Sequence, residues 1–374
     1  MFYLFGVLLA FFLSVILLTK KGKTKSDLIL AYWLLLIAIH LSLFYISKAI
    51  NPYYEPLLIL GFPFPLIHGP MLYFYTASLT NQHVYLKKLW VCHLLPLFFG
   101  YAILIPFFRL PHGKKIIVLQ NKGAGFELES DILNSMIDLS GIIYVMLSLW
   151  LLYKHRKSIQ NRFSTLQRVN LNWLQYLVYS LGLIWISVLW KNDLIIYSLV
   201  TLFVVFLGYF GIKQVGIFTE NTLTVKSVSI KNLSDDIYDK PVQTKTKYLN
   251  SNISEEALAE IHQKLTQIIL VNKPYLNPDL TLTELANLIN IHPNTLSQTI
   301  NIKEANSFYD FINNKRVEEF KTLVIQPESQ KFTMLSLAYE CGFNSKTAFY
   351  RSFKKNTSQT PTMFLKQEHI KLSS

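Results

Sequence analysis

LTELANLINIHPNTLSQTIN, at Leu282–Asn301, and MLSLAYECGFNSKTAFYRSF, at Met334–Phe353, form a weak internal repeat near the end of the chain. The matching positions are Leu285-Ala286 with Leu337-Ala338, Asn290-Ile291 with Gly342-Phe343, and, after one inserted residue, Leu296 and Ile300 with Phe349 and Phe353. In each copy a short apolar stripe is followed by turn residues and then by a second stripe at helical spacing. The repeat therefore predicts two pairs of short helices, each joined by a tight turn.

The turn and cap residues of each copy agree with this prediction. The turn needs one residue at positive φ, which Gly342 supplies without strain and Asn290 supplies next best. The pair His292-Pro293 opens the second helix of the first copy, and Asn344 or Ser345 caps that of the second copy. Such a helix pair is the arrangement that places its second helix in the major groove of DNA.

Nine polar side chains of the two second helices point away from the predicted apolar stripes. They are Asn294, Thr295, Gln298 and Thr299 in the first copy, and Lys346, Thr347, Tyr350, Arg351 and Lys354 in the second. Asn and Gln pair bidentately with adenine and Arg with guanine, whereas lysines suit phosphate contacts that set the register. We therefore predict these nine as DNA-binding residues. The alternative for each helix is an ordinary solvated polar face.

Two further helices are predicted beside the repeat. SFYDFINNKRVEEFKTL, at residues 307–323, lies between the copies and is expected to be a rigid spacer that holds them about one DNA turn, ~34 Å, apart. Its broad apolar face is formed by Phe308, Phe311, Ile312, Val317 and Phe320. SEEALAEIHQKLTQIILV, at residues 254–271, carries one stripe, which is formed by Leu258, Ile261, Leu265 and Ile268. That stripe needs a partner, either a second copy of the chain or the following domain.

The first 218 residues have the composition of a membrane domain. Charged residues make up only 16% of the chain, whereas ordinary globular domains have about 25%. Seven apolar stretches approach the ~20 residues that a spanning helix needs. They are residues 2–18, 28–46, 57–79, 89–108, 132–153, 173–190 and 194–212. The predicted fold is therefore all-α, a seven-helix transmembrane bundle followed by the repeat.

The distribution of charge predicts the orientation of the bundle. It also shows that the net positive charge of the chain is not by itself evidence for DNA binding. Of the formal net charge of +13, residues 1–218 hold eighteen Lys and Arg against seven Asp and Glu, so the basic excess lies outside the repeat. With the N-terminus outside, the inner loops carry eleven Lys and Arg and the outer loops six. We expect a multi-pass protein of the cytoplasmic membrane whose C-terminal region lies in the cytoplasm.

Four ionisable side chains are expected at membrane depth. They are His40, His68, His93 and Asp138. Such residues are functional candidates by default, although a neighbouring helix satisfies them equally well. The stretch at residues 57–79 also carries three prolines, so we expect a kinked helix that either lines a cavity or serves packing alone. These four residues are the candidate signal-sensing positions.

The chain divides into four predicted parts. Residues 1–218 form the transmembrane sensor domain, and residues 219–253, rich in Ser, Thr, Asn and Lys, form a flexible linker. Residues 254–273 form an amphipathic connecting helix, and residues 274–374 form the DNA-binding domain. Cys92 and Cys341 have no partner at metal-ligand spacing, so we predict neither a metal site nor a disulfide framework.

Residues 274–366 resemble the AraC-type (AraC/XylS) DNA-binding domain in the order and spacing of their motifs. The motifs are PYLNPDLTLTELANLINIHPNTLSQTIN, FYDFINNKRVEEFKTLV and LAYECGFNSKTAFYRSFKKNTSQTP, of which the segment CGFNSKTAFYRSFKK is quite specific. The resemblance implies that two recognition helices, residues 293–301 and 345–355, contact DNA. Asn290 and Ser358 stand where the family often has glycine, which affects local turns and removes no DNA-facing side chain.

The membrane half is similar, over short motifs, to the seven-helix regions that some AraC-type regulators of Bacteroidota-like bacteria carry. The motifs are HGPMLYFYTASL at His68–Leu79 and HLLP at His93–Pro96. This likeness implies that the bundle senses a signal, and it names no ligand.

These patterns predict a membrane-tethered, one-component transcription regulator. The expected partners are double-stranded DNA, the lipid bilayer and a small-molecule or membrane signal, with a second copy of the chain as a candidate dimer partner. The alternative is a membrane receptor or transporter whose C-terminal tail binds protein. We expect no cofactor and no enzymatic activity, because the sequence contains no nucleophile–base pair, metal-ligand spacing or phosphate loop.

Overall fold

The computed structural model describes residues 1–46, 56, 58–80, 82, 90–121, 123–165, 171–190, 192–213 and 253–373. Within these residues the chain is helical, and its β-pairing is limited to isolated bridges. The chain forms two compact units. The first comprises Met1–Lys154 with Leu171–Ser227, and the second comprises His155–Asn170 with Val228–Ser374. The predicted all-α class is confirmed.

The helices of the first unit are mostly apolar, and the longest of them ends in residues 155–160, which belong to the second unit. These helices are α1 (Phe2–Thr19), α2 (Lys25–Tyr45), α3 (Leu58–Gly61), α4 (Pro65–Leu79), α5 (Leu95–Ile103), α6 (Ile105–Phe108), α7 (His112–Gln120), α8 (Glu127–Gln160), α9 (Asn172–Val188) and α10 (Asp193–Lys213). A 3₁₀ turn, Trp90–Leu94, precedes α5. By length and composition, α1, α2, α8 and α10 are long and apolar enough to cross a membrane. The count of seven spans stays a prediction, since the other described helices are shorter.

Prolines explain why two predicted stretches are divided. The expected single helix at residues 57–79 consists of α3 and α4, separated by a turn, with Pro65 at the first position of α4. The stretch at residues 89–108 is likewise divided, with Pro96 and Pro106 in the first turns of α5 and α6. Proline lacks the N–H that continues a helical hydrogen-bond ladder, so it favours the start of a new helix.

The first unit buries one apolar face of its helices and exposes another. α1 packs against α2 and α10, α2 against α4, and α9 against α10. Trp33, Leu34 and Leu177 are fully buried in this core. On the outer faces, however, Phe12 of α1 and Leu139 of α8 are 61% and 60% exposed. Large apolar side chains therefore lie both inside and outside this unit.

The second unit contains the internal repeat. Its helices are α11 (Glu255–Asn272), α12 (Leu282–Leu288), α13 (Pro293–Lys303), α14 (Phe308–Val324), α15 (Met334–Glu340), α16 (Lys346–Thr357) and α17 (Pro361–Gln367). The helix predicted between the copies is α14, and it belongs to two apolar cores. Phe308, Phe311 and Ile312 pack with the first copy, whereas Val317 and Phe320 pack with the second. A helix whose side chains enter both cores is well suited to act as the predicted rigid spacer.

The amphipathic helix α11 packs on the first copy of the repeat. Ser254 caps it by accepting a hydrogen bond from the N–H of Ala257. Leu265 and Ile269 enter the first core, and α11 contacts α13. The His262 Nε2 and Glu304 Oε1 atoms lie 2.7 Å apart at the edge of this contact. Of the two partners left open for the apolar stripe, the following domain is the one observed. The predicted linker, residues 219–253, lies outside the described residues apart from Ile253.

Candidate nucleic-acid interface

The first copy of the repeat folds as a helix-turn-helix. Ala286 of α12 is fully buried, which allows α13 to pack closely against α12. Asn290 in the turn has φ 52°, so the predicted left-handed residue is confirmed. The side chain of His292 accepts a hydrogen bond from the N–H of Asn294 at 3.2 Å and caps α13, which begins at Pro293. The residues that close the turn were therefore readable from the sequence.

The second copy repeats this geometry with a more restricted turn. Gly342 has φ 89°, and a Cβ atom there would press against the carbonyl oxygen of Tyr275. Of the two predicted caps, Ser345 is the one used, because its side chain accepts from the N–H of Ala348 at 3.2 Å. Phe349 and Phe353 are fully buried. Glycine is required here both for backbone conformation and for the close approach of a neighbouring chain segment.

The outer face of α16 presents the cationic side chains that the sequence predicted. Lys346, Thr347, Arg351 and Lys354 are exposed, and Tyr350 is half-buried. The Lys346 ammonium lies 5.6 Å from the centre of the Tyr350 ring. One helix face thus combines guanidinium and ammonium donors with an aromatic ring, a composition that suits base edges and phosphates.

The outer face of α13 is smaller than predicted. Asn294 is exposed and Thr295 is half-buried. The prediction that Gln298 and Thr299 point outward is wrong, since they are 6% and 0% exposed. Helical periodicity identified one buried stripe, whereas α13 packs against α11, α12 and α14, so more of its circumference is covered. The Thr299 hydroxyl donates to the carbonyl of Thr295 at 3.0 Å instead of facing solvent.

A tyrosine that the sequence analysis missed orients Arg351. The Arg351 Nη2 group donates to the Tyr309 hydroxyl at 2.7 Å, and the guanidinium carbon lies 5.4 Å from the centre of the Tyr309 ring. Tyr309 lies near the start of α14 and is 5% exposed. Beside it, Lys355 pairs with Asp310 at 2.7 Å. The guanidinium of Arg351 is therefore held by a buried aromatic side chain.

A buried arginine at the middle of α14 joins the two copies of the repeat. Arg316 is 1% exposed, and its Nε and Nη2 atoms donate to the carbonyls of Tyr275 and Asn277 at 2.7 and 2.8 Å. Its guanidinium lies 5.9 Å from the ring of Phe343, next to the second turn. Burial lowers the pKa of Arg316 to about 10, so it is cationic at neutral pH. The hydrophobic period of α14 did not predict the burial of Arg316, because this burial comes from tertiary contacts.

Two of the candidate signal-sensing residues meet inside the first unit. The Trp33 indole N–H donates to His68 Nδ1 at 3.3 Å, and His68 Nε2 lies 3.2 Å from His40 Nδ1. His40 Nε2 lies 3.0 Å from the Tyr197 hydroxyl. The chain therefore runs from α2 to α4, back to α2 and on to α10. It borders an apolar cavity of about 50 Å³ whose walls include α9.

The indole determines the direction of this hydrogen-bond chain. An indole N–H only donates, so Nδ1 of a neutral His68 accepts and its proton is on Nε2. His68 then donates to His40 Nδ1, which leaves the proton of a neutral His40 on Nε2, directed at the Tyr197 oxygen. The reverse direction would leave His68 without a ring proton. The Tyr197 hydroxyl hydrogen is thus not used within the chain.

The other two candidates lie apart from this chain. His93 Nδ1 is 2.8 Å from the Tyr144 hydroxyl, and its ring also contacts Tyr73 and Phe74. Asp138 is half-buried on α8 and belongs to neither group. The four predicted positions therefore do not form a single site, although each of two histidine sites has a tyrosine partner.

Comparison with known proteins identifies the repeat. Residues 285–367 match the family model described as a helix-turn-helix domain. Over 94 residues the chain is 32% identical to an uncharacterized HTH-type transcriptional regulator, YijO, of Escherichia coli (strain K12). That match covers 25% of this chain and 32% of the relative. No solved structure gives a match. The C-terminal region of this chain therefore carries an AraC-type helix-turn-helix domain, which supports a role in DNA-binding transcription regulation.

Proposed function

We propose that this protein is a membrane-tethered, one-component transcription regulator that binds specific DNA sequences through α13 and α16. The observation that carries the proposal is the pair of capped recognition helices, with exposed polar faces, on a domain whose two cores share α14. Sequence-specific binding by two such units requires a fixed separation between them, and one shared helix is a direct way to provide it.

The two recognition helices have different roles in this proposal. Arg351 reads a guanine, and Lys346 and Lys354 contact phosphates, with Thr347 and Tyr350 between them. In the first copy Asn294 and Thr295 make the base or backbone contacts. Because Gln298 and Thr299 are buried, they contribute to packing instead. We therefore expect the second copy to carry most of the affinity.

The first unit anchors the regulator in a bilayer. Its long helices expose large apolar side chains such as Phe12 and Leu139, which water disfavours and lipid accommodates. Residues 155–165 and the C-terminal domain belong to one compact unit, so they lie on one side of any membrane. In the chain, α9 and α10 lie between these two parts. If α10 crosses the membrane, α9 must cross it in the opposite direction, because both parts lie on the same side. This parity agrees with a topology in which residues 155–165 and the DNA-binding domain both lie in the cytoplasm.

The cavity beside His40 and His68 is the site where we propose that the signal binds. Most of its lining is apolar, and it includes Leu181, Ile184 and Phe203. The Tyr197 hydroxyl, whose hydrogen is not used within the chain, offers one donor at its edge. An apolar molecule or group of only a few non-hydrogen atoms, with a single hydrogen-bond acceptor, matches this lining and the volume of about 50 Å³. It controls DNA binding only to the extent that it prefers one of two conformations.

The test is selection of genomic DNA fragments by the full-length protein in lipid nanodiscs. We expect a recovered motif with two half-sites about one helical turn apart. Arg351→Ala is expected to weaken binding to that motif by about 1–3 kcal/mol and to relax the preference at one base pair. Lys354→Ala is expected to weaken binding to all sequences alike and to lower the salt slope by about one.

The matched control removes the same charge elsewhere. Lys264 lies on α11, is 55% exposed and pairs with Glu260, so Lys264→Ala changes the net charge without altering either recognition helix. We expect this variant to bind the selected motif as the unaltered protein does. Recovery of no motif, or an equal loss for Lys264→Ala and Arg351→Ala, would contradict the proposed DNA-reading role and favour a tail that binds protein.

A further inference from the structure

Residues 155–165, which comprise the end of α8 and the five residues after it, pair with the start of the helix-turn-helix domain. The N–H of Ser164 donates to the carbonyl of Leu280 at 3.2 Å, and the N–H of Leu282 donates to the carbonyl of Arg162 at 2.9 Å. These bonds form one antiparallel bridge beside the first turn of α12. The segment therefore attaches at the beginning of the first helix-turn-helix unit.

Ser164 is the anchor of this attachment. It is 1% exposed, and its hydroxyl donates to the Leu280 carbonyl at 2.6 Å. The same hydroxyl oxygen accepts from Arg316 Nη2 at 3.3 Å. Its carbonyl accepts from Asn313 Nδ2 at 3.1 Å. The backbone N–H, hydroxyl and carbonyl of this serine are thus all bonded to the DNA-binding domain. Such complete pairing of a buried polar residue indicates a specific docking site rather than a chance contact.

The apolar part of the same segment covers Tyr309. Ile159 and Phe163 pack against this tyrosine and leave it 5% exposed. The hydroxyl of Tyr309 accepts the hydrogen bond from Arg351, and its ring lies beside the guanidinium. Two direct contacts therefore lead from residues 155–165 to a side chain on the DNA-facing side of α16.

We propose that residues 155–165 are a docking segment that keeps Tyr309 in place, and that Tyr309 is a positioning residue for Arg351. This inference rests on the proposed DNA-reading function and adds the route by which the apolar half of the chain controls it. The segment comprises the end of α8 and the residues that follow it towards α9, so a movement of either helix that withdraws it removes the support of Tyr309.

The contact positions Arg351 rather than blocking it. Arginine has five N–H donors, and the Tyr309 hydroxyl accepts from one of the Nη2 pair, so donors remain for the two acceptors of a guanine edge. A free arginine loses rotamer freedom when it binds, whereas one already held against a ring loses less. The docked segment therefore favours specific DNA binding, and release of the segment weakens that binding.

The experiment is a double-mutant cycle with full-length protein in nanodiscs, using the selected duplex and a scrambled duplex of equal length. Phe163→Ala removes a docking contact, and Tyr309→Phe keeps the ring but removes the hydroxyl. We expect each to weaken binding to the selected duplex about three- to tenfold and to leave binding to the scrambled duplex unchanged. In an Arg351→Ala background neither change should weaken binding further.

Leu270→Ala is the matched control, because Leu270 is a large apolar residue that is 69% exposed on α11. Its affinity should equal that of the unaltered protein. Losses that add fully to that of Arg351→Ala, or tighter binding by Phe163→Ala, would overturn the positioning role while the DNA-reading function stands. If the unaltered protein binds the selected and the scrambled duplex equally well, both the positioning role and the DNA-reading function are contradicted.

Discussion

Replacing Gly342 with alanine tests whether the turn of the second helix-turn-helix unit is as constrained as its geometry indicates. The backbone there has φ 89°, a conformation that an L-residue with a Cβ rarely adopts. The added Cβ would press against the Tyr275 carbonyl oxygen and would lie 2.9 Å from both Arg316 Nε and the Leu276 carbonyl oxygen. Two of these neighbours are backbone atoms, and the third is a side chain fixed by its own hydrogen bonds.

The magnitude follows from two additive costs. The left-handed conformation costs an alanine about 1–2 kcal/mol relative to glycine. Overlap with atoms that cannot move aside adds about 1–3 kcal/mol, as overpacking does in cores. We therefore expect Gly342→Ala to lower the free energy of unfolding of the second core by about 2–5 kcal/mol, which corresponds to a decrease of about 1–3 M in the urea midpoint.

The buried thiol of Cys341 provides the assay. Cys341 is 0% exposed in the second core, so it reacts with an alkylating reagent only when that core opens. Labelling of full-length protein across a urea series, in a Cys92→Ser background, gives the midpoint without interference from the other thiol. Cys92 is exposed, and its replacement leaves Cys341 as the one thiol of the chain.

The equivalent position of the first unit supplies the control. Asn290 is exposed and has φ 52°. Asn290→Ala therefore places an alanine in the left-handed conformation but creates no overlap with neighbouring atoms. We expect it to cost about 1 kcal/mol or less. Equal midpoints for Gly342→Ala and the unaltered protein, or equal losses for the two alanine variants, would refute the close-approach argument.

Four further outcomes are expected. Ser164→Ala, which removes a hydroxyl bonded to the Leu280 carbonyl, should speed hydrogen exchange at the N–H of Leu282 about tenfold, because it weakens docking of the segment by about one hydrogen bond. Cys341 is fully buried, and burial also raises the pKa of its thiol to about 12, so alkylation of the native protein at pH 8 should be at least about a hundredfold slower than that of an exposed thiol. Phe353→Ala should cost about 3–5 kcal/mol in the same urea assay, since Phe353 is fully buried among aromatic rings. A fluorescent protein fused after residue 374 should fluoresce in cells, whereas alkaline phosphatase at that point should be inactive; the opposite pair of results would contradict the proposed topology.

The local features of the helix-turn-helix domain were predictable from the sequence. Positive φ at Asn290 and Gly342 followed from the residue types that tolerate it, and the burial of Phe349 and Phe353 followed from helical spacing. Even the departure at Ser358 could be located in advance, since it occupies the left-handed position, φ 62°, where the family often has glycine.

The candidate sensing site was only half predictable. Membrane depth identified His40 and His68 as candidates, but the sequence could not show that they bond to each other, because they are 28 positions apart on different helices. The partners Trp33 and Tyr197 were not predicted, since an aromatic residue in an apolar helix gives no signal of its own. His93 looked equivalent in the sequence and lies in a different cluster.

By itself, then, the sequence determined the helices of the repeat, its two turns and the class of the C-terminal domain, because these depend on residues a few positions apart. Only the tertiary structure decided which polar faces stay open. Gln298 is buried because α13 has three helical neighbours, and Arg316 and Ser164 pair although they are 152 positions apart. The burial of a side chain depends on which other parts of the chain pack against it. The hydrophobic period of a helix reports only on that helix and not on its neighbours.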